Sequence, residues 1–197
     1  MLVDNSEPFL VLNLEYSEVA KIGVAFNPRA IKPLIKNSEC TVHDIGDGVM
    51  CVEFTSKSNS IGEGIGHGID QAIKMAEEEG WKGIVIGNNA KQFSVGANLM
   101  NIGMLAMQKQ FDTLDLVIDE FQSLNMRIRT SKIPVVVATQ GYVFGGGCEI
   151  AMHCDAGIYA AESYIGLPEV GVGLLPAGGG VKAVSYTHLT LPTNREV

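Results

Sequence analysis

The chain has 197 residues, 46% of them hydrophobic, and its 22 acidic side chains outnumber the 14 basic ones. This length and apolar content are enough for one globular domain with a buried core and some appendage. The acidic balance argues against nucleic acid and anionic membranes as partners, and the sequence lacks the uninterrupted run of about 18 apolar residues that predicts a membrane helix.

Residues 1–38 show no sustained period and none of the features of a signal peptide, so we interpret them as a linker remnant. We expect a cytoplasmic protein, or an organelle matrix protein whose targeting signal is not visible in this sequence. The cysteines form no CxxC pair and lie in apolar settings, which is typical of buried free thiols in a reducing compartment. They are Cys40, Cys51, Cys148 and Cys154.

The first regular elements follow this segment. Two β-rich runs flank Gly46-Asp47-Gly48 and predict a hairpin. Isoleucines at helical spacing between Ile61 and Ile73 then predict an amphipathic helix that ends at Gly80. The apolar run GIVIG at 83–87 predicts a buried strand.

The alternation of helices and strands continues along the chain. Residues 99–130 carry one apolar stripe, with Gly103 as their only breaker. A buried strand is predicted at 133–139, a helix after the glycines that follow it, and two short strands at 155–160 and 163–167. This order predicts an α/β fold with a largely parallel sheet and helices outside it.

The last fourteen residues, VSYTHLTLPTNREV, show no helical period where the preceding GGGVKA should open a helix. They resemble translated vector sequence, so we interpret residues 184–197 as a non-native tail that is foreign to the fold.

Three consecutive glycines, Gly145, Gly146 and Gly147, stand at a helix start, where each costs about 1 kcal/mol relative to alanine. Because these glycines have no Cβ atoms, an acyl group can lie against the free N–H of Gly146. A second glycine turn, FSVGAN, follows the strand at 83–87, and Ala97 there is a candidate second donor. Two such donors form an oxyanion hole, although close packing of helix on strand is an alternative explanation of the glycines.

Two carboxylates accompany these turns. Glu149 lies about one helical turn inside the glycine cluster, and Glu169 lies on a loop after a short strand. If both face one cavity, repulsion and desolvation raise the pKa of at least one, which gives an acid and base pair around a water. Alone, Glu169 would be a solvated loop acid and Glu149 a helix N-terminal residue.

FSVGANL, GYVFGGGCEIAM and IGLPEVGVGLLPAGGG, in this order, resemble the crotonase (enoyl-CoA hydratase/isomerase) family, especially the hydratase part of fused 3-hydroxyacyl-CoA dehydrogenase/enoyl-CoA hydratase proteins of fatty-acid β-oxidation. The resemblance covers residues 39–183. It implies a crotonase-like spiral of ββα units, truncated at the C-terminus because the family's last helices are missing.

The resemblance also implies the site. The N–H groups of Ala97 and Gly146 would hold the thioester oxygen, and Glu149 and Glu169 would activate water for addition to a trans-2-enoyl-CoA. The implied substrate-binding residues are Ser94, Val95, Gly96, Gly145, Gly147 and Pro168. Coenzyme A is part of the substrate, so no separate cofactor is expected, and full-length members are often homo-oligomers or fused to a dehydrogenase.

Two alternatives to hydration remain. Isomerisation of the double bond would need only Glu169, and a catalytically dead fragment would bind acyl-CoA or self-associate. Asn98 and Ala177 depart from the family pattern, which many members fill with aspartate and glycine. The methionines of 99–107 either fill the core, which we favour, or line an acyl pocket.

Two further motifs are interpreted as structural. The glycines of GEGIGHG do not make the dinucleotide fingerprint GxGxxG. The four histidines are dispersed, so no metal site is expected.

Overall fold

The computed structural model describes residues 33–189, and for residues 185–189 it describes the backbone only. This part of the chain contains eight strands: β1 Pro33–Lys36, β2 Cys40–Asp44, β3 Val49–Phe54, β4 Gly83–Gly87, β5 Val135–Thr139, β6 Tyr142–Phe144, β7 Ala156–Tyr159 and β8 Tyr164–Gly166. Its helices are α1 Glu63–Glu79, α2 Leu99–Met107, α3 Phe111–Arg129, α4 Gly146–His153 and α5 Gly180–Leu189. Short 3-10 turns lie at Lys57–Asn59 and Glu169–Val172.

The strands form two sheets. The larger has the order β1-β2-β3-β4-β5-β7, and the smaller pairs β6 with β8. Strands β1 to β3 run antiparallel, whereas β3, β4, β5 and β7 are parallel, as are β6 and β8. The predicted α/β fold with a mainly parallel sheet is confirmed, and the two short strands β7 and β8 fall in different sheets.

The predicted hairpin joins β2 and β3, with Cys40 opposite Phe54 and Asp44 opposite Met50. All three turn residues have positive φ: 94° at Gly46, 55° at Asp47 and 80° at Gly48. Glycine and aspartate tolerate this left-handed conformation, which is why the turn forms at this point.

Helix α1 confirms the predicted amphipathic helix. Ile65, Ile69 and Ile73 are fully buried against the sheet. Gly80 ends the helix in the left-handed conformation, and its N–H donates to the carbonyl of Ala76. The buried side chains of α1 join those of β3 and β4 in the core.

The glycines of GEGIGHG other than Gly66 serve packing. A Cβ atom on Gly68 would overlap the Sγ atom of Cys40, and one on Gly62 would lie 2.5 Å from the carboxylate of Glu39. That carboxylate accepts the N–H of Ile65 at 3.2 Å. The first turn of α1 is therefore occupied by an acidic side chain of the chain itself, which agrees with the interpretation against a dinucleotide loop.

Residues 99–130 form two helices. The chain breaks at Lys109, whose φ is 56°, and not at Gly103, which lies inside α2. Helix α2 has no buried residue, and Met107 is 87% exposed. The interpretation that its methionines fill the core is therefore wrong for this part of the chain.

The predicted stripe lies on α3 and is only partly buried. Leu124 and Ile128 belong to the core, and Phe121 packs against it while half-buried. The buried residues of the stripe therefore lie in the second half of the helix.

Both predicted domain boundaries fall within regular elements or close to them. Strand β1 lies inside the predicted linker and pairs with β2, Lys36 opposite Thr41, so the sheet begins before residue 39. Helix α5 begins at Gly180 and continues past residue 183 to Leu189. Residues 1–32 and 190–197 lie outside the described residues, so the linker and the non-native tail stay predictions.

Three of the four cysteines are buried, Cys154 is half-buried, and each is a free thiol. Over the described range, no helix is both long enough and apolar enough to cross a bilayer.

Candidate active site

The turn after β4 is held by hydrogen bonds to the segment before α1. The Ser94 hydroxyl donates to the carbonyl of Asn59 at 2.7 Å and accepts the N–H of Gly96 at 3.0 Å. Ile61 donates its N–H to the Gly96 carbonyl and accepts from the N–H of Asn98. These bonds fix the turn on both sides of Ala97 and leave the Ala97 N–H without a hydrogen-bond partner among residues 33–189.

The glycine cluster lies where β6 passes into α4. Gly145 has a φ of 53° and its N–H donates to Gly166 in β8. A Cβ atom on Gly146 would lie 3.0 Å from the ring of Phe121, and one on Gly147 would lie 2.7 Å from the Cβ of Ser94. Close packing therefore requires at least part of the glycine run.

The two glycine turns lie against each other. A Cβ atom on Gly96 would lie 3.4 Å from the amide nitrogen of Gly146, and one on Gly145 would lie 3.7 Å from the Cα of Gly96. The N–H of Gly146, like that of Ala97, makes no hydrogen bond to another residue in the described part of the chain. Two unused amide donors therefore come from neighbouring turns.

Glu149 lies in the first turn of α4 and is only 2% exposed. Its Oε1 accepts the N–H of Gly180 at 2.9 Å. Burial raises the pKa of the Glu149 carboxyl above its ordinary value, the charge of Glu169 adds to that increase, and hydrogen bonds from the backbone of Gly180 and Gly178 oppose it.

Glu169 begins the 3-10 turn after Pro168. Its Oε1 would lie 3.1 Å from a Cβ atom on Gly145. Its Oε2 is buried and has no hydrogen-bond partner within residues 33–189. A buried carboxylate oxygen without a partner is costly, so it is available to a water or a ligand.

The charges of both carboxylates act on the thiol of Cys148. Burial raises the pKa of its thiol to about 11, and the charges of Glu149 and Glu169 contribute to the increase. The thiol therefore stays protonated and unreactive near neutral pH.

The structure brings most of the predicted site residues together, and two of them lie at the surface. Ala97, Gly145, Gly146, Glu149 and Glu169 come from the three motifs and meet around the start of α4. Ser94, Gly96 and Gly147 shape the turns by packing and hydrogen bonding. Val95, 39% exposed, and the exposed Pro168 lie at the surface.

Sequence reasoning missed the contribution of α3. Gln122 donates to the carbonyl of Ala177 and Asn125 donates to that of Gly178, both at 2.7 Å. These pairs are more than 50 residues apart in the chain, and neither amide belongs to a motif. The only sequence signal from α3 is its apolar stripe, whose Phe121 packs against Gly146 and Gly178.

The histidines with described contacts have protein partners. His153 Nδ1 is 2.7 Å from the carbonyl of Glu149, and His43 Nε2 is 3.0 Å from Oε2 of Glu53. Within the described part, no three His, Cys, Asp or Glu side chains group as a metal site would require.

Comparison with known proteins identifies the family. The model of the family described as "Enoyl-CoA hydratase/isomerase" matches residues 44–187. A Bacillus subtilis protein named "Probable 3-hydroxyacyl-CoA dehydrogenase" is 40% identical over 190 residues, which cover 94% of this chain and 24% of the relative. A Pongo abelii protein named "Enoyl-CoA hydratase, mitochondrial" is 34% identical over 131 residues, which cover 66% of this chain and 43% of the relative.

The fold has solved counterparts. The crystal structure of an enoyl-CoA hydratase from Polaromonas sp. JS666 superposes with a TM-score of 0.71 at 23% identity, covering 75% of this chain and 58% of that one. This likeness confirms the predicted crotonase fold. The chain spans about a quarter of the Bacillus relative and less than half of the Pongo one. Because the family match covers well over half of its residues, the chain belongs to the enoyl-CoA hydratase/isomerase family.

Proposed function

We propose that this chain carries an enoyl-CoA hydratase site, which adds water to the double bond of trans-2-enoyl-CoA thioesters. The observation that carries the proposal is the position of Gly145. A Cβ atom there would lie 3.7 Å from the Cα of Gly96 in one motif and 3.1 Å from Oε1 of Glu169 in another. An oxyanion hole and a catalytic carboxylate would then share one small space.

The N–H groups of Ala97 and Gly146 are the proposed oxyanion hole. Both are unused within residues 33–189, and their turns are in contact. They would hold the thioester oxygen, on which negative charge develops as water adds to the conjugated system. Loss of one such donor typically costs about 3 kcal/mol of transition-state stabilisation.

Glu149 and Glu169 are the proposed acid and base. The oxygen of water bonds to the β-carbon, one water proton passes to a carboxylate, and a carboxyl delivers a proton to the α-carbon. Burial raises the pKa of Glu149, which makes it a stronger base than an exposed carboxylate. Oε2 of Glu169, which has no hydrogen-bond partner within residues 33–189, would bind the water.

Fatty-acid β-oxidation is the proposed setting. Hydration produces a 3-hydroxyacyl-CoA, and the Bacillus subtilis relative is named for dehydrogenation of that class of compound. Its match covers 94% of this chain and so includes part of residues 1–38, which supports an origin beside a dehydrogenase part. Coenzyme A would enter as part of the substrate. A cytoplasmic location stays a prediction, since the Pongo abelii relative is named as mitochondrial.

A binding-only fragment is the second candidate, and the surface of α2 favours it. Leu99, Met100 and Met107 are each at least 51% exposed. An apolar helix surface of this kind is what an incompletely covered acyl pocket would leave open. In this candidate the chain would bind acyl-CoA or associate with itself without turnover.

The assay that separates these candidates follows the conjugated enoyl-thioester absorbance of crotonyl-CoA with the 197-residue chain. The hydratase proposal expects loss of absorbance, with turnover reduced at least a hundredfold in Glu149→Gln and in Glu169→Gln. Turnover that survives Glu149→Gln but not Glu169→Gln in a double-bond migration assay would indicate an isomerase instead. Binding of crotonyl-CoA with no turnover would contradict the hydratase proposal and support the binding-only fragment.

A further inference from the structure

The turn at residues 177–180 is contacted on both sides. On one side lies α3, whose Gln122 and Asn125 are three residues apart and so share a helix face. On the other side lies the carboxylate of Glu149. There is no room for a side chain between them at Gly178, because a Cβ atom there would lie 2.5 Å from Oε2 of Glu149 and would also overlap the ring of Phe121.

The carbonyl groups of this turn accept hydrogen bonds from α3, and its N–H groups donate to Glu149. The carbonyls of Ala177 and Gly178 accept from Gln122 and Asn125. The N–H of Gly180 donates to Glu149 Oε1 at 2.9 Å, and the backbone of Gly178 also supplies a hydrogen bond to that carboxyl. In a trans peptide the C=O and N–H point in opposite directions, so the bond from Gln122 to the Ala177 oxygen directs the Gly178 N–H away from α3. The bond from Asn125 to the Gly178 oxygen holds the next peptide, which leads to Gly180.

We propose that Gln122 and Asn125 are positioning residues, which aim the N–H groups of the 177–180 turn at the Glu149 carboxylate and so set its protonation. Their importance for turnover rests on the hydratase function proposed above. Neither side chain touches the proposed reacting atoms. Both act through the backbone of the turn.

The burial of Asn125 supports this assignment. The residue is 0% exposed, and its Oδ1 has no hydrogen-bond partner within residues 33–189. Burying an amide with half of its hydrogen-bonding capacity unused is unfavourable. A leucine of similar size would fill the same volume without that cost, so the amide needs another explanation, and its single bond to Gly178 supplies one.

The elements around Glu149 carry other titratable groups. Glu169 lies on the 3-10 turn, Cys148 and His153 lie on α4, and the exposed Lys182 lies on α5. The contacting residues of α3 are uncharged. Substitutions at 122 and 125 by apolar residues therefore change the hydrogen bonds to the turn without adding or removing a charge near Glu149.

The test is a carboxyl-carbon NMR titration of the 197-residue chain with labelled glutamate, in which Glu149 is assigned by its absence in Glu149→Gln. Loss of the donors that favour its ionised form should raise the pKa of Glu149 by about 0.5 to 1 unit in Gln122→Met and in Asn125→Leu. Ser123→Ala, an exposed neighbour on the same helix, should leave it unchanged.

An unchanged Glu149 pKa in folded Gln122→Met and Asn125→Leu would overturn the assignment. If Asn125→Leu does not fold, the exposed Gln122→Met decides the question alone. The titration needs no turnover, so it can succeed when the hydratase proposal fails. Conversely, turnover that is lost in Glu149→Gln while the titration is unmoved would leave the hydratase proposal standing and remove only the positioning role.

Discussion

The Cα of Gly96 faces the amide nitrogen of Gly146, and a Cβ atom added to Gly96 would lie 3.4 Å from that nitrogen and 3.0 Å from the carbonyl oxygen of Phe144. This contact joins the turn after β4 to the start of α4. It depends on a residue without a side chain, because the φ of Gly96 is 93°. The spacing of the two proposed oxyanion donors follows from it.

Gly96→Ala is expected to destabilise the fold by about 1 to 3 kcal/mol, because alanine must adopt a left-handed backbone and press on the Phe144 carbonyl. Urea unfolding measures the change. Gly80→Ala is the matched control, since Gly80 has a φ of 75° and nothing within 4 Å of its Cβ position. Equal losses in the two variants would show that the contact with α4 adds nothing.

Two glycines of α1 should respond in opposite ways to alanine. A Cβ atom on Gly68 would overlap Cys40 Sγ, whereas one on Gly66 would make an ordinary 3.7 Å contact with Leu124. We expect Gly68→Ala to cost about 1 to 3 kcal/mol through overpacking. Gly66→Ala should stabilise the helix by up to about 1 kcal/mol. Thermal or urea unfolding of the two variants checks this, and a loss of stability in Gly66→Ala would contradict it.

The pair of Glu77 and Arg127 connects α1 to α3 and should make stability depend on pH. Two hydrogen bonds of 2.9 and 2.7 Å from Arg127, and one from the N–H of Lys132, lower the pKa of Glu77 from 4.5 to about 2. A folded-state pKa below the unfolded value stabilises the protein above pH 4.5, and that contribution is lost as the pH falls towards 2.

Glu77→Gln should therefore lower the free energy of unfolding at pH 6, and its difference from the wild type should shrink between pH 4.5 and 2. Denaturant midpoints across this range measure the difference. Glu78→Gln, at an exposed neighbouring position, is the control. If the difference in the free energy of unfolding stays constant down to pH 2, the carboxylate of Glu77 is not the cause of the pH dependence.

Glu149 should have the opposite pH dependence. Burial raises its pKa, so the folded state holds the proton more tightly than the unfolded one. Its contribution to stability is then fully present below the ordinary value of 4.5 and falls as the pH rises through that value towards the folded pKa.

Glu149→Gln should consequently be at least as stable as the wild type at pH 7, although we expect it to lose turnover. The glutamine can still accept the N–H of Gly180, so the helix start is kept. Guanidinium unfolding at pH 4 and pH 7 provides the comparison, with the exposed Glu162→Gln as control. A less stable Glu149→Gln at pH 7 would mean that the carboxylate mainly anchors α5.

Local signals account for the elements that the sequence predicted. The hairpin at Gly46 and the helix end at Gly80 each depend on a glycine with positive φ. The helical period of α1 and the apolar run of β4 are short-range patterns. The break at Lys109 was missed because neither glycine nor proline marks it. Strand β1 was missed because four residues, PLIK, at a sheet edge carry too little pattern.

The site was predictable as far as its motifs reach. The glycine turns and the two glutamates could be named from the sequence, because backbone donors and paired carboxylates have recognisable surroundings. The roles of Gln122 and Asn125 could not be predicted, since they depend on contacts between α3 and a turn more than 50 residues away. The exposed methionines of α2 were misassigned because an apolar helix has the same sequence pattern whether it faces a core or an open surface.

The proposed function depends most on the two amides of Ala97 and Gly146 binding one thioester oxygen. Titration of the nitrogen-labelled chain with butyryl-CoA, which has no double bond to hydrate, tests this through the amide resonances. We predict saturable downfield proton shifts at both Ala97 and Gly146, with a common dissociation constant. Binding that shifts other amides while leaving these two unchanged would contradict the account.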